Sequence, residues 1–267
     1  MRRLHRAVLQ QSNQAPSLPN MYPSLVEKQV AIRIGEVSLI AGQPASGKSS
    51  LAMALAVRAQ VPTLYLSADT HAHTMSMRMI AMLTNTTQDV IEQAMASDPG
   101  WASEMLKQAD HIRWSFDSAP TVASIEEEIQ GHIELYSKAP ELVVIDNLTD
   151  VVADGDEFGG MRATMKDFKW LARTYETALC VLHHASEGIQ GNPCPPRFSL
   201  MGKVAQTPAL VLTLAQDPAG FLGVAAVKNR YGPSRADGSD PVYLRYDPAA
   251  MQITEVEPEF DVPGLSA

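Results

Sequence analysis

The chain has 267 residues, 45% of them hydrophobic and 19% charged, a globular composition that excludes a disordered chain and supplies apolar surface for one large core or two small ones. Two cysteines exclude a disulfide scaffold and favour a reducing, cytoplasmic setting, and no run reaches the ~18 apolar residues of a membrane helix, so no membrane partner is expected. The net charge of −9 is uneven: residues 85–157 hold 16 acidic and 3 basic side chains, whereas residues 158–203 hold 6 basic and 3 acidic, so a polyanionic partner stays open beside plain solvated surface charge.

Residues 1–30 contain basic residues but no signal-peptide core, and read as an N-terminal arm or linker. Over 31–250, short apolar runs recur at "EVSLIAG", "PTLYLSA", "HIRWSF", "ELVVID", "ALCVLHH", "ALVLTLA", "FLGVAAV" and "PVYLRYD". Their length, β-branched content and flanking Gly, Pro or Asp predict strands. Helical spacing lies between the first five: "SSLAMALAVRAQ" follows Lys48, and Met75, Met79 and Met82 share one face that reads as core. Further on, Ile125, Ile129 and Ile133 form one stripe, and Met165, Phe168, Leu171 and Ala172 another. Strand alternating with helix predicts an α/β fold, a doubly wound, mostly parallel sheet. The last three runs lack long intervening helices and predict antiparallel C-terminal strands or hairpins. Residues 251–267 read as an acidic C-terminal tail.

The most specific signal is "GQPASGKS", residues 42–49, a phosphate-binding loop between a predicted strand and a predicted helix. Such a loop, Gly42, Gln43, Pro44, Ala45, Ser46 and Gly47, turns backbone N–H groups toward phosphate oxygens at a helix N-terminus that continues through Ser50. Lys48 supplies a charge to the β and γ phosphates of ATP, and Ser49 a hydroxyl to Mg²⁺. A second hard ligand is needed, and Asp146 ends "ELVVID"; Asp also commonly stops strands, so alone it is a weak signal. Asp69, ending "PTLYLSAD", is the candidate base for the attacking water, or again a strand stop. The pair His183–His184 closes the fifth run; neighbours on a strand point opposite ways, so together they cannot easily chelate one ion.

In this order the pieces resemble the RecA superfamily, and within it the ATPase core of DnaB-type replicative helicases, over roughly residues 33–247. "GEVSLIAGQPASGKSSLAMALA" resembles its nucleotide loop and "LVVIDNL" its metal-binding strand. "LSADTHAHTMSMRMIA" resembles the next segment, with Asp69 where the family carries a catalytic Glu and Arg78 where it carries Arg. The resemblance makes His184 a sensor of the γ-phosphate, with packing or metal ligation as alternatives. "VAAVKNRYGPS" resembles a Lys-x-Arg pair that reaches a neighbouring subunit's γ-phosphate, which makes Lys228 and Arg230 the candidate fingers; a solvated basic edge is the plainer reading. It also implies a homo-oligomer, a hexameric ring or a filament, on single-stranded DNA. Of the two loops that would hold the strand, residues 149–160 are acidic, while residues 186–203 carry Arg197, Phe198 and Lys203. Fewer than about 35 residues precede the core, so no primase-docking domain is expected. Two further readings stay open: a metal-dependent nuclease using Asp69, Asp146, His183 and His184, and a regulatory or assembly ATPase in recombination.

Overall fold

The computed structural model describes residues 15–153, 157–186 and 192–257. All eight predicted runs form strands. In chain order they are β1 (Val37–Gly42), β2 (Thr63–Ser67), β3 (Ile112–Ser115), β4 (Leu142–Asp146), β5 (Ala178–His184), β6 (Leu210–Asp217), β7 (Phe221–Asn229) and β8 (Pro241–Asp247). A ninth, β9 (Gln252–Glu255), falls in the segment expected as a tail. They make one sheet in the order β3-β2-β4-β5-β1-β6-β7-β8-β9. The strands from β3 to β6 run parallel, and β7, β8 and β9 follow antiparallel as consecutive hairpins. β6 therefore belongs to the parallel part, because the chain crosses over between residues 185 and 209 before entering it.

The expected helices are α2 (Lys48–Ala59), α3 (Ala72–Thr84), α6 (Val122–Tyr136) and α7 (Glu157–Thr174). Three others were not expected from the sequence: α1 (Pro23–Glu27), α4 (Gln88–Ser97) and α5 (Pro99–Leu106). α4 buries only Ile91 and α5 only Ala102, against Ile80 and Ala81 of α3 in a satellite cluster. α5 opens where the Asp98 side chain accepts from the Trp101 N–H and Pro99 takes the first helical position.

Strand parity distributes the core on both faces of the sheet. Ile40, Val144, Cys180 and Leu182 face α2 and α3, where Leu51, Met75 and Met79 are buried. Leu39, Val143, Leu179 and Val181 face α6 and α7, where Ile125, Ile129, Met165 and Phe168 are buried. The two boundaries read from sequence both move. Leu18, Tyr22, Leu25 and Val30 are buried in the first of these layers, so residues 18–30 are part of the folded unit rather than an arm. Met251 and Ile253 are buried there too, and the Tyr22 hydroxyl donates to the Ile253 carbonyl at 3.0 Å. Each segment supplies apolar residues that the other covers, which neither shows by itself.

Candidate nucleotide site

β1 ends at Gly42, and the chain turns sharply before α2 begins at Lys48. Gly47 has φ +87°, and Ala45 also takes a positive φ of 59°. A Cβ on Gly42 would collide with Ser46 Oγ and stand 3.1 Å from the Leu214 carbonyl oxygen, so the glycine at the loop's first position is sterically required. Lys48 is buried, and its Nζ donates to the carbonyls of Gly42 (3.2 Å) and Gln43 (2.8 Å). Burial lowers its pKa, while Asp146 and Asp69 pull it upward.

Asp146 sits at the tip of β4, buried. Its Oδ2 accepts from the Tyr65 hydroxyl at 2.9 Å, and Ser49 hydrogen-bonds to the same carboxylate. Burial raises its pKa, against the pull of these two hydrogen bonds and of Lys48. A hydroxyl and a carboxylate brought together beside a cradle of main-chain amides are hard oxygen donors, and fit Mg²⁺ bound with a triphosphate.

β4 and β5 separate β2 from β1, yet Asp69, on an exposed bend two residues past β2, reaches the same cavity. Its Oδ1 accepts from Thr70 Oγ1 at 2.8 Å. The cavity, about 530 Å³, brings together Gly47, Lys48, Ser49, Asp69, Asp146 and His184. Arg78 also lines it, along with residues that sequence reasoning missed: Gln88, Asn147, Gln216, Tyr246, Pro248 and Met251. Tyr246 hydrogen-bonds Ser50 Oγ at 2.8 Å, and its ring would lie 3.4 Å from a Cβ on Gly47. Gln216 donates to the Ala45 carbonyl. Gln216, Tyr246, Pro248 and Met251 carry no local signal, because β6, β8 and the turn after β8 reach the loop only through the sheet.

The two histidines diverge as strand parity requires. His184 faces the cavity, its Nδ1 buried without a hydrogen-bond partner among the described residues, and burial followed by Lys48 lowers its pKa. His183 faces the α7 layer, fully buried, and its Nε2 donates to the Met201 carbonyl at 3.1 Å. Chiefly because of burial, its pKa is pushed down to about 4 from 6.5. A folded-state value below the unfolded one means that stability is complete above pH 6.5 and is lost as pH falls from 6.5 toward 4. The loss is at most about 3 kcal/mol. Urea midpoints for wild type should therefore drop over this window, and His183→Gln, which keeps a donor for Met201, should flatten the drop. Identical pH dependence in the two proteins would refute the assignment.

Beyond β5 the chain stays tied to this strand. Ala185 bridges to Leu200, and the Ser186 N–H donates to the Ser199 carbonyl at 3.0 Å. Arg197, Phe198 and Lys203 are exposed here, Phe198 by 76%. Part of each predicted DNA loop, residues 154–156 and 187–191, lies outside the described residues.

Lys228 and Arg230 lie at the other end of the sheet. β7 ends at Asn229, and the Arg230 N–H bonds the Ala209 carbonyl, level with the start of β1. Within the chain the two cations hold separate acceptors. Lys228 Nζ donates to the carbonyls of Ala205 (2.9 Å) and Gln206 (2.7 Å). Arg230 grips both oxygens of Glu36 at 3.2 Å, and the Tyr231 hydroxyl donates to Glu36 at 2.8 Å. A shift in the β6–β7 register between Val211 and Leu212 breaks the regular ladder just before these residues. Among the described residues no three of His, Cys, Asp and Glu gather as metal donors. No described helix is long and apolar enough to cross a membrane.

A phosphate-binding loop feeding α2, an acidic strand tip beside it, and this strand order together define a RecA-like P-loop ATPase. The chain belongs to the family described as AAA domain, whose model matches residues 22–188. It is similar to the Gene 65 protein of Mycobacterium phage L5, 31% identical over 251 residues, covering 89% of this chain and 92% of that protein. The Gene 65 protein of Mycobacterium phage D29 is 33% identical over 237 residues, covering 82% and 99%. Among solved structures, one isolated ATPase domain superposes with a TM-score of 0.80 at 16% identity, over 95% of this chain and 96% of that one. A DnaB-like replicative helicase, described with its interactions with primase, gives the same score and identity over 95% of this chain and 65% of that longer one. The fold thus resembles the ATPase core of DnaB-like helicases.

Proposed function

We propose that the protein is an ATP-driven motor of the RecA and DnaB kind, a helicase or recombination ATPase, acting as an oligomer on single-stranded DNA in the cytoplasm. One observation carries the reading: the cavity that holds Lys48, Ser49, Asp146 and Asp69 also holds His184, on the strand whose next residues are bonded to the loop bearing Arg197 and Phe198. A change at the terminal phosphate thus has a short covalent route to the surface proposed for DNA. In this reading the amides of residues 43–48 and the Lys48 ammonium cradle the phosphates, Asp69 holds the attacking water, and His184 donates to a γ-phosphate oxygen. Ser49 and Asp146 would hold Mg²⁺, which when bound neutralises charge on the phosphate oxygens. Free, buried Cys180 and Cys194 suit a reducing compartment.

Six residues of β1, about 17 Å, separate Arg230 from its own phosphate loop. Arg230 and Lys228 therefore act on a neighbouring protomer's nucleotide, in a ring or a filament. ATP turnover should be stimulated by a single-stranded oligonucleotide, with the oligonucleotide left uncut. Arg230→Ala should lower turnover about 10³-fold or more. Mixing it with a Lys48→Ala chain should restore part of the activity, because each protein supplies what the other lacks. A size-fractionated monomer with full turnover, unchanged in Arg230→Ala, would sink the oligomeric motor.

A further inference from the structure

Helix α7 carries Arg162, Lys166, Lys169 and Arg173 at i, i+4, i+7 and i+11, a single row about 16 Å long. Arg162, Lys166 and Arg173 are exposed and Lys169 half-exposed. The row borders the helix's buried stripe of Met165, Phe168 and Ala172, and its direction is fixed by its neighbours. Arg173 lies 4.0 Å from Glu36, and Lys169 is close enough to Lys228 to help lower that amine's pKa, after burial and together with Arg230 and Arg197. Trp170, 53% exposed one turn beyond Lys166, meets Tyr175 edge-on, and Tyr175 bonds Gln130 and Glu126 of α6. Only Arg173 of the row forms an ion pair among the described residues. At the row's upper end, Phe158 is 42% exposed, and its ring would lie 3.2 Å from a Cβ on Gly202, next to Lys203.

We propose that Arg162, Lys166 and Lys169 form a phosphate track, which carries a single strand of DNA from the loop of Arg197, Phe198 and Lys203 down the flank of α7. The inference rests on the single-stranded DNA reading above and extends the contact from a loop to a rigid helix. Cations one helical turn apart present a regular row of point charges to a regular row of phosphates, and each contact releases a counterion without reading sequence. Exposed Phe158 and Phe198 at the same rim add stacking faces for bases, a combination that fits a single strand better than an acidic protein surface. Residues 158–203, which include all but the first residue of this helix and the loop of Arg197, hold 6 basic and 3 acidic side chains.

The test is fluorescence anisotropy of a labelled oligothymidylate on the full chain, as a function of salt. The triple variant Arg162→Gln, Lys166→Gln, Lys169→Gln should lower the slope of log affinity against log salt by about 2, at ~0.7 per phosphate contact. Between about 50 and about 200 mM salt, wild type should then lose about 16-fold more affinity than the variant. The charge-preserving variant Arg162→Lys, Lys166→Arg, Lys169→Arg should keep the wild-type slope, which separates charge from folding. Wild-type binding with an unchanged slope in the triple Gln variant overturns the track alone. An unchanged slope with loss of oligomerisation on sizing does the same, and reassigns the row to a protomer contact. No oligonucleotide binding by wild type at any salt overturns the parent reading as well.

Discussion

Lys48→Ala should bind Mg·ATP roughly ten- to a hundredfold more weakly and turn it over about 10²–10³-fold more slowly. The Lys48 ammonium donates to the Gly42 and Gln43 carbonyls, beside Asp146 and Asp69. Swinging it onto a triphosphate exchanges two neutral acceptors for anionic oxygens in a buried position, where a charged hydrogen bond is worth more than in water. The alanine removes that charge and also strips two carbonyls of a donor, so part of the effect arises from the loop itself. Lys48→Met keeps the buried aliphatic stem and should lose turnover equally. Calorimetry with Mg·ATP and a phosphate-release assay check both steps. Turnover by either variant at the wild-type rate would refute the phosphate-loop assignment.

The second large effect is expected at Asp69. Its carboxylate occupies the cavity from an exposed bend, so lengthening it by one methylene, about 1.5 Å, meets no packed neighbour. Misplacing a reacting group by about 1 Å can cost 10²-fold, and the resemblance places a Glu at this point. Asp69→Glu should therefore raise turnover, by up to about 10²-fold. Asp69→Asn should lower it about 10²–10⁴-fold by removing the base while keeping the shape. An Asn variant as active as wild type would remove Asp69 from the chemistry. A Glu variant slower than wild type would show instead that the short side chain already holds its water correctly.

The phosphate loop was legible because its chemistry is local: Gly42 and Gly47 are required by steric contacts and backbone turns within a few residues, and Lys48 and Ser49 follow from the helix start. The histidines were half legible, since parity along β5 dictates that one faces the nucleotide and the other does not, while the partner of His183, Met201, lies 18 residues onward. Tyr246 could not be foreseen, because it reads as an ordinary alternating position of a strand and meets Ser50 across 196 residues of sequence. The same holds for Arg230, whose Glu36 partner is separated from it by 194 residues. Lys228 likewise takes its direction from the carbonyls of Ala205 and Gln206, just past a break in the β6–β7 ladder.

The ninth strand ties the nucleotide cavity to both extremities of the folded unit. Met251 and Tyr246 wall the cavity, Ile253 receives the Tyr22 hydroxyl, and Glu255 accepts from the Ser24 N–H. Cutting at residue 250, as if trimming a loose end, would open the pocket and unseat the helix Pro23–Glu27 in one stroke.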